Sequence, residues 1–341
     1  MGAANEVDPA VVWHLSARMA SDAVRRVSQQ LSGYLCGTHS GLLSPVRRGE
    51  RGPEALALAH RALGAQAVSA PDSELGPRMW TLADSKIADR LRTALDHPAV
   101  IELILFGSQS RGSVTGFSDV DAILVINDEA AENPKVLRSV RPRVLSAERA
   151  VLAYQPMQHH GFEVATPKLL QTASEALALP ATALADTSSL YGRTVRATLS
   201  NGSERGREPL MALIRSLVSV PSWPGHVWKA HRLIAMFELL PVLYLQCRGE
   251  SVPKWQSFDE VRNEFPDSWW PYDVLNEVRL AWPRTRRRRV ELAAALARNP
   301  WVAVAAWRRL PARVPEQVRP LLTHRVLEGL RKLARAMAHQ A

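Results

Sequence analysis

Five residues between two apolar runs have the types and spacing for chemistry. They lie in LILFGSQSRGSVTGFSDVDAILVI, residues 103–126. Asp119 and Asp121 are two apart, and an extended chain turns residues two apart to the same face. Two adjacent carboxylates repel unless a cation sits between them. Mg²⁺ (or Mn²⁺) takes hard oxygen ligands, typically one or two carboxylates together with substrate phosphates. A solvated strand edge would not be flanked by Val120, Ala122, Ile123, Leu124 and Val125. Gly107 and Ser108 follow the first apolar run directly. Glycine lets backbone approach a phosphate, and the Ser108 hydroxyl with nearby N–H groups can bond its oxygens. Arg111 adds a planar cation that matches phosphate. Together these residues could hold a triphosphate against a metal and leave its α-phosphate open to in-line attack.

The order of these parts resembles the signature of the DNA-polymerase-β-like nucleotidyltransferase superfamily. An apolar residue precedes Gly-Ser, a spacer of about ten follows, and Asp-x-Asp stands between apolar residues. FGSQSRG followed by SDVD is similar to the minimal and antibiotic-modifying members. The resemblance implies that Gly107 and Ser108 bind the triphosphate and that Asp119 and Asp121 are catalytic metal ligands. It also implies a third acid on a later strand, acting as base or metal ligand. Glu163, in GFEVA, is the candidate. It departs from the more frequent aspartate, and its alternative is an ordinary strand-edge glutamate. Gln158-His159-His160-Gly161 resembles a motif of some bacterial nucleotidyltransferase-domain proteins. Either histidine could contact phosphate or accept a proton, or be structural.

The stretch 229–258 resembles the helical substrate domain of some bacterial members. From it Lys229 is the expected nucleotide contact, with Lys254 a second possibility; a solvated helix lysine is the alternative. Trp223, Trp228, Trp255, Trp269, Trp270, Trp282, Trp301 and Trp307 concentrate in the second half. They could stack bases, but at helical spacing tryptophan more often fills a core. Arg284 and Arg286–Arg289 form a basic cluster that could meet RNA phosphates or be a solvated helix start.

The elements that must position these residues can be read from periodicity. Helices are predicted over 8–35, 53–66, 82–97 and 134–152. Strands are predicted over 100–106, 120–126 and 160–166, with 107–117 a glycine-rich loop. Beyond about residue 168 the strand signals fade and helices follow one another to 339. The fold class expected is α+β: a small mixed β-sheet nucleotidyltransferase domain with a helical N-terminal extension and a mostly helical C-terminal domain. The boundaries expected are 1–80, 81–168 and 169–341.

With 341 residues the chain can bury a core without disulfides. Cys36 and Cys247 have no CxxC partner, which gives neither a disulfide framework nor a zinc site. No apolar run reaches the roughly 18 residues a bilayer span needs, and MGAANEVDPA is not a signal peptide, so a cytoplasmic location is expected. Residues 1–200 carry 20 basic and 20 acidic residues, and 201–341 carry 23 and 13, a difference of +10. In 281–341 alone the balance is 14 − 3 = +11. The expected function is Mg²⁺-dependent transfer of a nucleoside monophosphate, with ATP the default donor, to a hydroxyl of a small-molecule acceptor. The basic region keeps RNA open as the acceptor, and a catalytically inactive nucleotide-binding module is a further alternative.

Overall fold

The computed structural model describes residues 9–36, 38–39, 42–45, 52–63, 73–81, 85–172, 181–199, 207–283 and 295–341. The expected α+β class is borne out: a five-stranded mixed sheet lies between helical N- and C-terminal regions. The chain order begins α1 (Pro9–Cys36), β1 (Thr38–His39), β2 (Leu42–Pro45), α2 (Pro53–Ala62), β3 (Ser73–Leu75), β4 (Arg78–Met79) and α3 (Ser85–Ala94). It continues with β5 (Val100–Phe106), α4 (Gly107–Arg111), β6 (Asp121–Ile126), α5 (Asp128–Glu132), α6 (Pro134–Tyr154), β7 (Glu163–Ala165), α7 (Pro167–Thr172), β8 (Ser188–Ser189) and β9 (Val195–Ala197). The helical half comprises α8 (Glu208–Val218), α9 (Val227–Phe237), α10 (Leu240–Cys247), α11 (Lys254–Glu264), α12 (Trp270–Ala281), α13 (Pro300–Trp307) and α14 (His324–Gln340).

The sheet order is β4-β8-β5-β6-β7. β5 pairs antiparallel with β6, and β6 parallel with β7. Strand alternation then sorts the apolar residues. Leu103, Leu105, Leu124, Ile126 and Val164 face a core shared with α1, α3 and α6. Ile104, Phe106, Ile123, Val125 and Ala165 face the other way, toward Leu75, Val195 and Ala197 of a small β3–β9 sheet. β8 and β9 correct the expectation that strands end near 168. At two and three residues they are too short to show a period of two. The expected helix 228–247 is broken into α9 and α10, with Pro241 in the first turn of α10, where a missing N–H costs nothing.

The N-terminal helix completes the sheet rather than standing apart from it. Val24, Val27, Leu31 and Leu35 of α1 recur at helical spacing and are buried in the sheet core. Between them, two serines serve the outer edge of β7. Ser28 Oγ donates to the Val164 carbonyl at 2.7 Å, and the Val164 N–H donates to Ser32 Oγ at 2.7 Å. Unpaired edge groups are thereby satisfied by side chains. The Phe162 carbonyl accepts from Cys36 Sγ at 3.4 Å, and the Phe162 N–H donates to Glu148 Oε1 at 2.8 Å. Both cysteines are free.

Glu148 carries a pH dependence. Burial drives its carboxyl from 4.5 to about 7, against the lowering effect of the Phe162 N–H. A folded-state value above the unfolded one means that the native state holds the extra proton. Stability is therefore greatest below about 4.5 and falls as pH rises through about 7. Urea unfolding at pH 5 and pH 8 should show a loss of about 2–3 kcal/mol over this window, at 1.36 kcal/mol per pKa unit. Glu148→Gln should lose about 2–3 kcal/mol less than the parent over the same window, on top of what His160 contributes to both; an equal loss would assign the slope to other groups.

Candidate active site

β5 delivers the chain to the site and a single glycine turns it. Phe106 is extended, and Gly107 follows at φ +66°, a left-handed backbone that favours glycine. A Cβ at Gly107 would stand 3.0 Å from Asp121 Oδ2. Glycine is thus required by the backbone and by the approach of the acid. Residues 107–111 form one helical turn rather than the expected loop, and Gly112 at φ +70° closes it. Five residues between glycines leave no apolar period to reveal a helix. The Ser108 carbonyl accepts from the Ser113 N–H at 3.1 Å, which fixes the turn, and Ser108 is half-buried.

Three buried or nearly buried glutamines hold the backbone of the acidic segment. Gln109 Nε2 donates to the Asp119 carbonyl at 3.1 Å, and Gln155 Nε2 to the carbonyls of Gly116 and Ser118. Gln158 makes the tightest clamp. Its Oε1 accepts from the Val120 N–H at 2.8 Å, and its Nε2 donates to the Val120 carbonyl at 2.9 Å and the His160 carbonyl at 3.0 Å. Val120 is the residue between the two aspartates. Gln109 and Gln155 carry no signal in the sequence, and Gln158 is marked only as the start of the Gln158-His159-His160-Gly161 motif, not as a backbone clamp, because a glutamine bonded to backbone has no periodic signature.

Each aspartate meets a histidine. His160 Nε2 lies 3.0 Å from Asp121 Oδ1, and its Nδ1 lies 3.0 Å from the Gly161 carbonyl. Both ring nitrogens face oxygen, which suits the doubly protonated ring. Burial opposes that charge, but the Asp121 hydrogen bond and charge raise His160 to about 10. His159 Nδ1 lies 2.7 Å from Asp119 Oδ2. Burial would push the Asp119 carboxyl up, yet His159, with His231 and His160 behind it, holds it down to about 2. Asp119 Oδ1 is buried without a hydrogen-bond partner, so an acceptor lone pair is open at the centre of the site. Asp119, His159 and His160 offer ligand atoms within 4.8 Å of one another, close enough to share one metal ion.

Glu163 sits on the same sheet face as Asp121. Its register partner is Ile123, two residues beyond Asp121. That places it about 6.6 Å along the strand and about 4.8 Å across from the Asp121 position. Burial pushes its carboxyl up, opposed by the His160 charge. The histidines, not Glu163, are in contact with the aspartates.

The helical half closes over this segment through Phe117. The Phe117 ring stacks on His231 of α9 at 3.9 Å and meets Trp282 edge-on at 5.3 Å, while His231 Nε2 donates to the Phe117 carbonyl at 3.2 Å. Burial holds His231 below its ordinary value. Arg308, just beyond α13, donates to the Gln158 carbonyl at 2.7 Å and lies 4.3 Å over the Trp228 ring. Burial lowers Arg308 to about 10, partly offset by the Asp119 charge.

The remaining candidates are placed differently. Arg111 is exposed and lies 5.5 Å over the Trp255 ring of α11, across from the phosphate turn. Lys254 Nζ meets buried Glu238 at 3.0 Å, and Arg279 Nε meets the same carboxylate at 2.8 Å. Lys229 is exposed on α9. It lies two residues, roughly 200° of helix, from His231, which faces the site. Trp228, Trp269, Trp282 and Trp301 are buried in the cores, whereas Trp255 and Trp270 are exposed. Arg284 and Arg286–Arg289 lie outside the described residues.

Residues 85–156 match the family model described as nucleotidyltransferase domain. No curated protein and no solved structure matches the chain. The matched segment holds Gly107, Ser108, Arg111, Asp119 and Asp121, and it ends before the two histidines and Glu163. The strand, the glycine turn and the paired acids therefore stand in a segment that matches a nucleotidyltransferase domain of the DNA-polymerase-β-like superfamily, a family that transfers nucleoside monophosphates in general.

Proposed function

We propose that this protein transfers a nucleoside monophosphate, AMP from ATP by default, to a hydroxyl of a small-molecule acceptor and releases pyrophosphate. The observation that carries the reading is the approach of the Gly107 backbone to Asp121, beside an Asp119 oxygen that has no partner. In this reading Gly107 and Ser108 receive the triphosphate, and Arg111 neutralises its outer charge from the rim. Asp119 and Asp121 hold the divalent cation, with His159 and His160 alongside. A cation there supplies Lewis-acid charge to the α-phosphoryl oxygens. Glu163, made more basic by burial, takes the acceptor proton. Lys229 is a rim contact at most. Mg²⁺ or Mn²⁺ fits two carboxylates, which are hard oxygen donors.

RNA is the second reading of the acceptor, supported by the +11 balance of residues 281–341. Incubation with Mn²⁺ or Mg²⁺ and each of four α-labelled nucleoside triphosphates, with hydroxyl-bearing small molecules or total RNA, tests both. Label in a small molecule with either ion is expected. Label confined to RNA would replace the acceptor. Nucleotide binding with no label anywhere would leave a binding module and overturn the transfer reading.

A further inference from the structure

A cavity of about 760 Å³ opens between α1, α6 and the segment leading into α13. Its lining contains none of the residues of the aspartate site. Four arginines line it, Arg138, Arg141, Arg149 and Arg298, and among the described residues no acidic side chain does. Its apolar wall includes Pro142, Leu145 and Val302.

The arginines are positioned rather than scattered. Arg138, Arg141 and Arg149 are spaced at 3 and 8 residues along α6, which puts them on one helix face. Arg141 Nε donates to the Tyr34 carbonyl at 2.8 Å while its guanidinium lies 5.1 Å over the Tyr34 ring. Arg149 donates to the Ala297 carbonyl at 2.9 Å. Bonds to neutral groups fix the Arg141 guanidinium without cancelling its charge. Arg138 pairs with Glu54. Arg141 and Arg298 meet no carboxylate among the described residues. Like charges gathered around one hollow repel, and an anion relieves them. Guanidinium matches phosphate through paired N–H bonds, and an apolar wall accepts the face of a base or sugar.

We infer that this cavity is a second phosphate-binding site that takes a nucleotide unit, free or within an RNA strand, apart from the donor site. The test uses the full chain carrying Asp119→Ala and Asp121→Ala, without divalent cation, which removes metal-dependent binding at the donor site and leaves any remaining donor-site binding the same in every cavity variant. AMP is titrated by calorimetry, and a fluorescein-labelled single-stranded RNA 12-mer by anisotropy. Arg298→Glu, at an exposed position, leaves the fold untouched, and Arg141→Ala/Arg298→Ala removes two cavity charges. Lys332→Ala/Arg335→Ala removes two exposed charges on α14. Cavity variants should weaken binding at least about 10-fold and lower the salt slope by about 0.7 for each phosphate no longer neutralised. The α14 variant should bind as the parent does. Cavity-dependent binding of AMP identifies a free nucleotide, and of the 12-mer alone an RNA strand. Binding of neither probe, binding indifferent to the cavity variants, or equal weakening in the α14 variant would overturn the site.

Discussion

Asp121→Asn is expected to lower nucleotidyl transfer by about 10³-fold or more, with nucleotide binding in the absence of metal nearly unchanged. The variant keeps the shape of the side chain and its contact with the Gly107 turn. It removes the charge that the cation and His160 both require. Metal charge on a transferring phosphoryl contributes several kcal/mol, and three decades correspond to about 4 kcal/mol. Steady-state turnover with the acceptor found by labelling reads the effect. Electron spin resonance of Mn²⁺ reads the same change without turnover, as weaker ion binding. Turnover within 10-fold of the parent would remove Asp121 from the metal site.

Gln158→Leu should cost about 3 kcal/mol of folding stability and reduce turnover as well. The substitution keeps the volume and strips the clamp from the Val120 N–H and carbonyl, which lie where Val120 is 1% exposed. A buried polar group left unmatched costs about 1–3 kcal/mol, and two or three are stranded here. The backbone between the acids is then free to shift, and a displacement of about 1 Å can cost 10²-fold in rate. Gln158→Glu retains an acceptor for the Val120 N–H and should fall between parent and leucine variant. Urea titration and turnover together distinguish a positioning role from a packing role. A leucine variant as stable as the parent would show that the clamp does not hold the segment.

The parts legible in the sequence were those in which one residue type does one job over a fixed spacing. Gly107, Ser108, Asp119 and Asp121 announced themselves because phosphate and metal chemistry restrict both type and distance. β5 and β6 were legible as unbroken apolar runs, and α1 and α6 as periodic ones. The positioning residues were not. Gln109, Gln155 and Gln158 act through side-chain amides on backbone atoms, and the pairing depends on a fold that brings residue 158 beside residue 120. Phe117 carries no signal in the sequence, because its partners, His231 and Trp282, lie more than a hundred residues away. Glu163 was legible as an acid on a short apolar strand, but its register beside Ile123 comes only from the parallel pairing of β6 with β7. The contact of both aspartates with His159 and His160 depends on the bend before β7, which has no period to read.

The anchoring of Phe117 sets the size of the smallest working unit. Residues 85–156 are the segment that matches the nucleotidyltransferase family, yet the turn between α4 and the acids is seated in a core drawn from α8, α9, α10, α11, α12 and α14. Cutting the chain after α7 would leave the recognisable segment whole and remove the socket for Phe117 together with the Arg308 contact on Gln158. Amide exchange at Ser118–Asp121 should consequently track opening of the distant helices rather than of the sheet. Recognition and competence should thus occupy different lengths of the same chain, and loosening a helix far from the aspartates should lower turnover.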